Sequence, residues 1–381
     1  MIVRFSFLLA VFGSIISQIP TVLSSSWGNP LKYLWILPAF LLCFESPKEY
    51  LDRPIKWFLL FVLYFGLFGF VMETFSLQHY LGRDMYNIMI SFLIFSVSYK
   101  YWLDYGNEKQ IKLISFFILI SGVLLAYFLY VDYLRGGNLL SRNFAYNKGK
   151  NSASMIILCS ILISLLNFYN KKKWINIVKY VFFAFMFYVV VLLRSRATFV
   201  GVIYIIYYFI FRIHNRKLTF SILFLSAIAV IWVMTHPSLY NTVVNGILLA
   251  GRDAEDLNEL SSGRVYLLSE AWDIFKQNMW LGNGNMYMDC MPIVVLAQYG
   301  LIGASSIYVF LIFWGIKVYK FFKNDYIYLT SFLLFNVFLL NSLFEAQPPF
   351  GPGVKCFMLW MMLGFSFANI KLKRKTIEKY D

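Results

Sequence analysis

The chain has 381 residues, of which 60% are apolar, 20% aromatic and only 14% charged, too few water-seeking groups to coat a soluble protein. Soluble enzymes and nucleic-acid-binding proteins are thereby excluded, and an integral membrane protein is indicated. Lys and Arg number 34 against 19 Asp and Glu, a formal charge of +15 that in such a chain reports topology rather than a nucleic-acid partner.

A hydrocarbon core about 30 Å thick takes roughly 20 apolar residues per helix. Apolar runs fall at 5–23, 33–44, 55–72, 86–99, 113–131, 152–168, 176–193, 197–211, 218–235, 292–316, 327–344 and 354–370. The expected fold is therefore all-α, a polytopic membrane helix bundle of about 12 transmembrane helices forming one integral membrane domain over residues 1–381. The first run follows Arg4 as a signal peptide would, but the segment from Thr21 to Ser26 is a poor cleavage site, so it reads as an uncleaved span. Runs shorter than a straight span are completed by flanking Tyr and Trp or are partly re-entrant, and 33–44 is the weakest of them.

With the N-terminus inside, Arg4, the inner connections and the tail hold 22 of the 34 basic residues, among them Lys100, Lys171, Lys172, Lys173, Lys179 and Lys371. The positive-inside rule is satisfied and both termini are expected in the cytoplasm. Of the 12 basic residues left outside, seven are arginine: Arg83, Arg135, Arg142, Arg194, Arg196, Arg252 and Arg264. Lys serves topology as well as Arg does, so an outer face enriched in the planar, bidentate donor suggests recognition of phosphate or carboxylate. Interfacial anchoring is the plainer alternative.

Arg194 and Arg196 interrupt an otherwise apolar stretch from Tyr180 to Phe211. A guanidinium at membrane depth is costly unless paired, so Arg194-Ser195-Arg196 reads as the tip of a tight hairpin at the outer boundary, either aimed at a headgroup or serving as an anchor. The one large insertion, residues 236–291 between spans nine and ten, is expected to be an extracytoplasmic loop. Its stretch from Gly251 to Glu259 is an acidic spacer. Ser262 can then cap a surface-lying amphipathic helix with Val265, Leu268, Ala271, Trp272, Phe275 and Met279 on its apolar face. The helix ends in Trp280-Leu281-Gly282-Asn283-Gly284-Asn285, whose glycines permit a sharp, close-packed turn. Arg264 opens that helix where the dipole opposes a cation, which favours a ligand contact over a solvated charge.

Cys43, Cys159, Cys290 and Cys356 lie singly, so neither a metal site, a cofactor nor a disulfide framework is indicated. The outer-face carboxylates near the loop are Asp289, Glu270, Asp273 and Glu345. Asp289 is the first choice for a general base, against a simple helix-terminal charge before Pro292. His236 at a helix end is either solvated or substrate-lining. Arg83, Arg142 and Glu345 are further candidates to line a substrate, and His79 lies beside Arg83, whereas His214 falls in a basic inner loop. The stiff segment from Glu345 to Gly353 either lines an exit for product or merely joins two helices.

Ser262-Gly263-Arg264, Trp272, Leu281-Gly282-Asn283-Gly284, and Asp289 followed by Gly300-Leu301-Ile302-Gly303 together resemble the large outer loop of the O-antigen polymerase and O-antigen ligase superfamily. Arg194-Ser195-Arg196 is similar to that family's arginine-bearing element, and Lys148-Gly149-Lys150-Asn151 to its Gly and Asn signature. The resemblance spans roughly residues 140 to 315 and gains weight from the twelve-helix plan with a late outer loop. Asp289-Cys290 stands where ligases typically carry a His-Asn pair, and Gln298 where a Glu is frequent, which leans towards polysaccharide polymerases of the Wzy type.

The resemblance implies a glycosyltransferase of the bacterial cytoplasmic (inner) membrane. It would join undecaprenyl-pyrophosphate-linked repeat units into O-antigen or capsular polysaccharide by inverting transfer. Arg194, Arg196 and Arg264 would grip the pyrophosphate as its charge grows, without metal or cofactor, and Asp289 would serve as base. Membrane lipid is an implied partner, with room for a chain-length regulator protein. A ligase with a lipid A-core acceptor and a lipid-linked oligosaccharide flippase remain the alternatives, although the two halves of the chain lack the correspondence that carriers usually show.

Overall fold

The computed structural model describes residues 1–45, 52–74, 81–136, 150–212, 216–241, 244, 263–284, 286–321 and 325–377. Among them every regular element is helical. The helices of ten or more residues are α1 (Ile2–Ile16), α2 (Ile36–Glu45), α3 (Arg53–Thr74), α4 (Leu81–Tyr105), α5 (Glu108–Gly136), α6 (Lys150–Asn167), α7 (Lys173–Leu192), α8 (Arg196–Arg212), α9 (Arg216–Thr235), α10 (Arg264–Gln277), α11 (Met291–Phe321), α12 (Tyr326–Ser342) and α13 (Phe357–Ile377).

Six stretches are long and apolar enough to cross a membrane: Arg53–Thr74, Glu108–Arg135, Lys150–Asn167, Lys173–Leu192, Met291–Phe321 and Gly353–Lys373. Shorter apolar helices run over Ile2–Ile16, Pro30–Phe44, Thr219–Thr235 and Tyr326–Ser342. The architecture is that of a polytopic helical membrane protein, as the apolar runs predict. The weak run at 33–44 is broken locally, with a 3₁₀ turn at Tyr33–Trp35 before α2.

Burial is arranged around α13, whose residues from Phe357 to Leu363 are all buried. A helix that is apolar all round belongs at the centre of a bundle, and α13 packs closely on α4 and also on α12. The outer helices turn apolar side chains outward instead, Trp57, Leu63 and Phe70 on α3 and Ile177 and Val181 on α7. Lipid is the environment in which such faces are stable.

The expectation that Lys100 and Lys179 are loop charges is corrected by their positions inside helices. Lys100 is fully buried in α4 and pairs with Asp104 at 3.0 Å, and Lys179 in α7 donates to the Phe168 carbonyl at 2.9 Å. Both charges are satisfied locally, which is the condition for burying them.

One distortion positions the loop ahead of α11. At Gly300 the backbone turns to φ 58, ψ −167, and α11 kinks. In an unbroken helix the Leu301 and Ile302 amides would donate to the Ala297 and Gln298 carbonyls. Here they donate to Met279 O (2.8 Å) and Trp280 O (3.1 Å), while the freed Ala297 and Gln298 carbonyls accept from Asn283 and Gly284, each at 3.0 Å. These four backbone groups are thereby satisfied by the turn after α10. The crossing is so close that a Cβ on Gly282 would lie 2.4 Å from Gln298 O, and one on Gly300 2.4 Å from Trp280 O.

Helix α10 starts as expected at Arg264, but Ser262 lies outside the described residues and Gly263, at φ 79, takes the N-cap position. The predicted apolar face is divided. Ala271 and Phe275 are buried, with Leu267 and Ile274 packed beside them, whereas Val265, Leu268 and Trp272 remain exposed as a second stripe. Packing on α11 rotates the buried stripe by about one residue from the predicted one.

Because both glycines have positive φ and no room for a side chain, Gly282→Ala or Gly300→Ala is expected to destabilise the protein by about 1–3 kcal/mol or more. Thermal unfolding in detergent should show a lowered midpoint for either variant, whereas Gly82→Ala, where an added Cβ meets nothing within 4 Å, should leave it nearly unchanged.

Candidate functional site

The kink and turn bring Arg264 to Asp289. Arg264 Nη2 lies 3.3 Å from Asp289 Oδ2 and donates to the Phe344 carbonyl at 2.9 Å. The other carboxylate oxygen, Asp289 Oδ1, accepts from the Tyr287 hydroxyl at 3.1 Å. The ion pair is partly exposed, at 21% for Arg264 and 36% for Asp289, and such pairs contribute about 0–1 kcal/mol to stability. Its geometric consequence is larger: one guanidinium edge is fixed, while the buried Arg264 Nε has no partner among the described residues.

Glu345 stands one residue beyond the carbonyl that Arg264 grips. Its side chain accepts from Asn151 Nδ2 in the first turn of α6, and its own carbonyl accepts from the Met291 amide at 3.1 Å where α11 begins. Three distant parts of the chain therefore meet at this residue. Burial raises the Glu345 pKa above the usual carboxylate range; the Asp289 charge adds to the rise, and Asn151, Arg264 and Lys355 oppose it. Burial also pushes the Tyr287 phenol up to about 12, with Asp289 and Glu345 adding to the shift and Arg83 reducing it, so Tyr287 remains a donor.

The segment from Phe344 to Gly353 is held from several sides. Asn87 Oδ1 accepts from the Gly353 amide at 2.7 Å, Ser91 Oγ donates to Phe350 O at 3.0 Å, and Trp360 Nε1 donates to Pro349 O at 2.8 Å. Asn151, Asn341, Glu345 and Lys355 line one narrow pocket beside it.

Arg194 occupies the turn between α7 and α8 at φ 50. A non-glycine residue there carries backbone strain, a feature that clusters at functional sites. Burial lowers the Arg194 pKa below its ordinary value, with Tyr133 acting in the opposite sense. The turn is tied to the site by hydroxyls: Thr198 Oγ1 donates to Ser195 Oγ at 2.9 Å and meets Ser154 Oγ at 2.6 Å, one turn beyond Asn151 on α6. Arg196 is the first residue of α8.

Of the other residues singled out from sequence, Arg83 lies at the edge of the cluster, 3.6 Å from Asp84 and with its guanidinium 5.8 Å from the Tyr287 ring centroid. His236 is exposed, its Nδ1 3.0 Å from the Trp232 carbonyl of its own helix, and it takes no part in the contacts that build the cluster. Glu270 and Asp273 are exposed on α10. Arg142, Arg252, His79 and His214 lie outside the described residues.

Sequence reasoning missed Tyr287 and Asn341, and singled out Gln298 only as a departure from the family pattern. Gln298 is buried and donates to the Met286 carbonyl, steadying the approach to Asp289. A polar side chain inside the apolar run 292–316 was the available signal for it. Tyr287 could have been noticed two residues before Asp289.

A furrow between α11 and α12 leads along the bundle to this site. It starts at Met291, Pro292 and Ser342 and continues past Leu311, Ile316 and Phe335 with almost entirely apolar walls.

The fold and the site together define a polytopic helical membrane protein with guanidinium and carboxylate groups gathered beside a largely apolar furrow. Residues 181–330 match the family model described as O-Antigen ligase. That match runs from α7 into α12, less than half of the chain, and shows that this stretch is similar to the O-antigen ligase family. The chain matches no curated protein.

The raised Glu345 pKa makes a signed prediction. A native carboxyl that holds its proton more tightly than the unfolded chain contributes stability that is full below the unfolded value and lost as pH rises through the folded one. The stability advantage of the parent over Glu345→Gln is therefore expected to shrink as pH rises from below the ordinary value of 4.5 through neutrality. Unfolding midpoints of both proteins across that range check it.

Proposed function

We propose that this chain is a polymerase that joins undecaprenyl-pyrophosphate-linked oligosaccharide repeat units into O-antigen or capsular polysaccharide, by inverting glycosyl transfer at the outer face of the cytoplasmic membrane. The observation that carries this reading is the position of Arg264, with a fixed edge and an unpartnered Nε, close to the mouth of the apolar furrow. A substrate with a long apolar chain and a charged headgroup matches that pairing. The polyprenyl chain lies along the furrow and the pyrophosphate reaches the guanidinium.

Cleavage of the glycosidic bond adds charge to a pyrophosphate that is already anionic. Donors held in place before the reaction stabilise that charge without reorganising. Arg264 fills this role, oriented by Asp289 and the Phe344 carbonyl, and Arg194 and Arg196 grip the headgroup from the strained turn. Arg83 and Glu345 line the path of the glycan. Asp289-Cys290 in place of the His-Asn pair typical of ligases favours polymerase over ligase, and a chain-length regulator would act from outside this chain.

Loss of one preorganised donor of this kind typically costs about 10²–10³ in rate. Cells whose sole copy carries Arg264→Ala are therefore expected to keep the protein in the membrane but to display glycans of one repeat unit. Electrophoresis of surface polysaccharide reads the length distribution. Long glycans that never reach their final anchor would identify a ligase, and repeat units trapped on the inner leaflet a flippase.

A further inference from the structure

The narrow pocket beside the Arg264 cluster has features that headgroup binding does not explain. It is lined by Asn151 from α6, Asn341 from α12, Glu345 from the loop and Lys355 at the start of the last helix. Asn341 is only 4% exposed, and its Nδ2 has no hydrogen-bond partner among the described residues. A buried amide left unpaired carries a desolvation cost, which is relieved when a ligand oxygen accepts from it. Amide groups on two sides of a carboxyl offer both a donor and an acceptor to a hydroxyl, with Lys355 as the one cation in the lining.

The two carboxylates of the region differ in their surroundings. Asp289 has donors on both oxygens, a guanidinium and a phenol, so both oxygens are already engaged. Glu345 accepts from one neutral amide, and no side-chain nitrogen of Lys or Arg among the described residues lies within ion-pair distance of it. The charged groups facing it are Asp289 ahead of α11, Arg264 on α10 and Lys355.

We propose that this pocket receives the reacting hydroxyl of the acceptor glycan and that Glu345 is the base that takes its proton. Asp289 is then a positioning residue for Arg264. The assignment rests on the glycosyl-transfer reading above and adds the acceptor side of the reaction to it. Burial and the neighbouring Asp289 charge both raise the proton affinity of Glu345, so the environments of two nearby carboxyls are pushed apart as acid-base division of labour requires.

In the step itself, the acceptor oxygen forms a bond to the anomeric carbon of the donor glycan while its proton passes to the Glu345 carboxylate. The bond from that carbon to the pyrophosphate oxygen breaks with its electron pair, leaving polyprenyl pyrophosphate with one more negative charge beside Arg264. Glu345 then releases the proton to water.

The test combines two measurements on the full chain: binding of undecaprenyl pyrophosphate to purified protein in lipid nanodiscs, and surface glycan length in cells carrying the same variant as sole copy. Glu345→Gln is expected to bind the pyrophosphate lipid within about twofold of the parent yet to slow chain growth by about 10²–10⁴, the usual contribution of a general base, leaving single-repeat glycans. Glu345→Asp should restore part of the length distribution. Long glycans from Glu345→Gln cells would overturn the assignment. Loss of lipid binding in that variant alone would overturn it too, making Glu345 part of the donor site. A parent that fails to bind undecaprenyl pyrophosphate would remove the underlying glycosyl-transfer reading, and the base assignment with it.

Discussion

The exchange of backbone hydrogen bonds between the kink at Gly300 and the turn at Gly282 is the constraint on which the site depends. Two helical bonds are given up within α11, and four bonds to the turn satisfy the groups set free. A loop following an amphipathic helix would otherwise have many positions open to it. With both backbones in contact and no space for a Cβ on either glycine, the end of α10 and the middle of α11 have one mutual arrangement. Arg264 and Asp289, at the far ends of those two segments, come together as a result. Asn278 reinforces the arrangement, since its side chain holds both Gly282 O and Leu281 N.

Electrostatics at the site follow from unequal shares of a limited supply of cations. One guanidinium edge and a phenol serve Asp289, while Glu345 receives an amide. The like charge of Asp289 and the loss of water then act in the same direction on Glu345. Two nearby carboxyl groups thereby acquire different surroundings, and that of Glu345 raises its proton affinity.

Much of the fold was legible because membrane helices announce themselves by long apolar runs, and each run from 55–72 onward corresponds to a helix among the described residues. The runs understated α4, which extends over Leu81–Tyr105 rather than 86–99, because Arg83, Asp84, Lys100 and Asp104 lie in its end turns and depress the hydropathy there. The kink in α11 was hidden, since the residues on both sides of Gly300 are equally apolar. At the site, Arg264 and Asp289 were legible as charges flanking one loop. The joining of Asn151 to Glu345 was not, because 194 residues separate them and only helix packing brings them together. His236, either solvated or substrate-lining on the sequence alone, is exposed at its helix end.

The contact between Asn151 and Glu345 also bears on modularity. The stretch recognisable as family spans residues 181–330 and contains Arg194, Arg196, Arg264 and Asp289, yet the groups that complete the cluster come from before its start and after its end. A transplant of that stretch into a relative would carry the cations across and leave Asn151, Asn341 and Glu345 behind, so its new host would have to provide equivalents in register. Inheritance of the recognisable segment and inheritance of the complete cluster are separable events in a chain built this way.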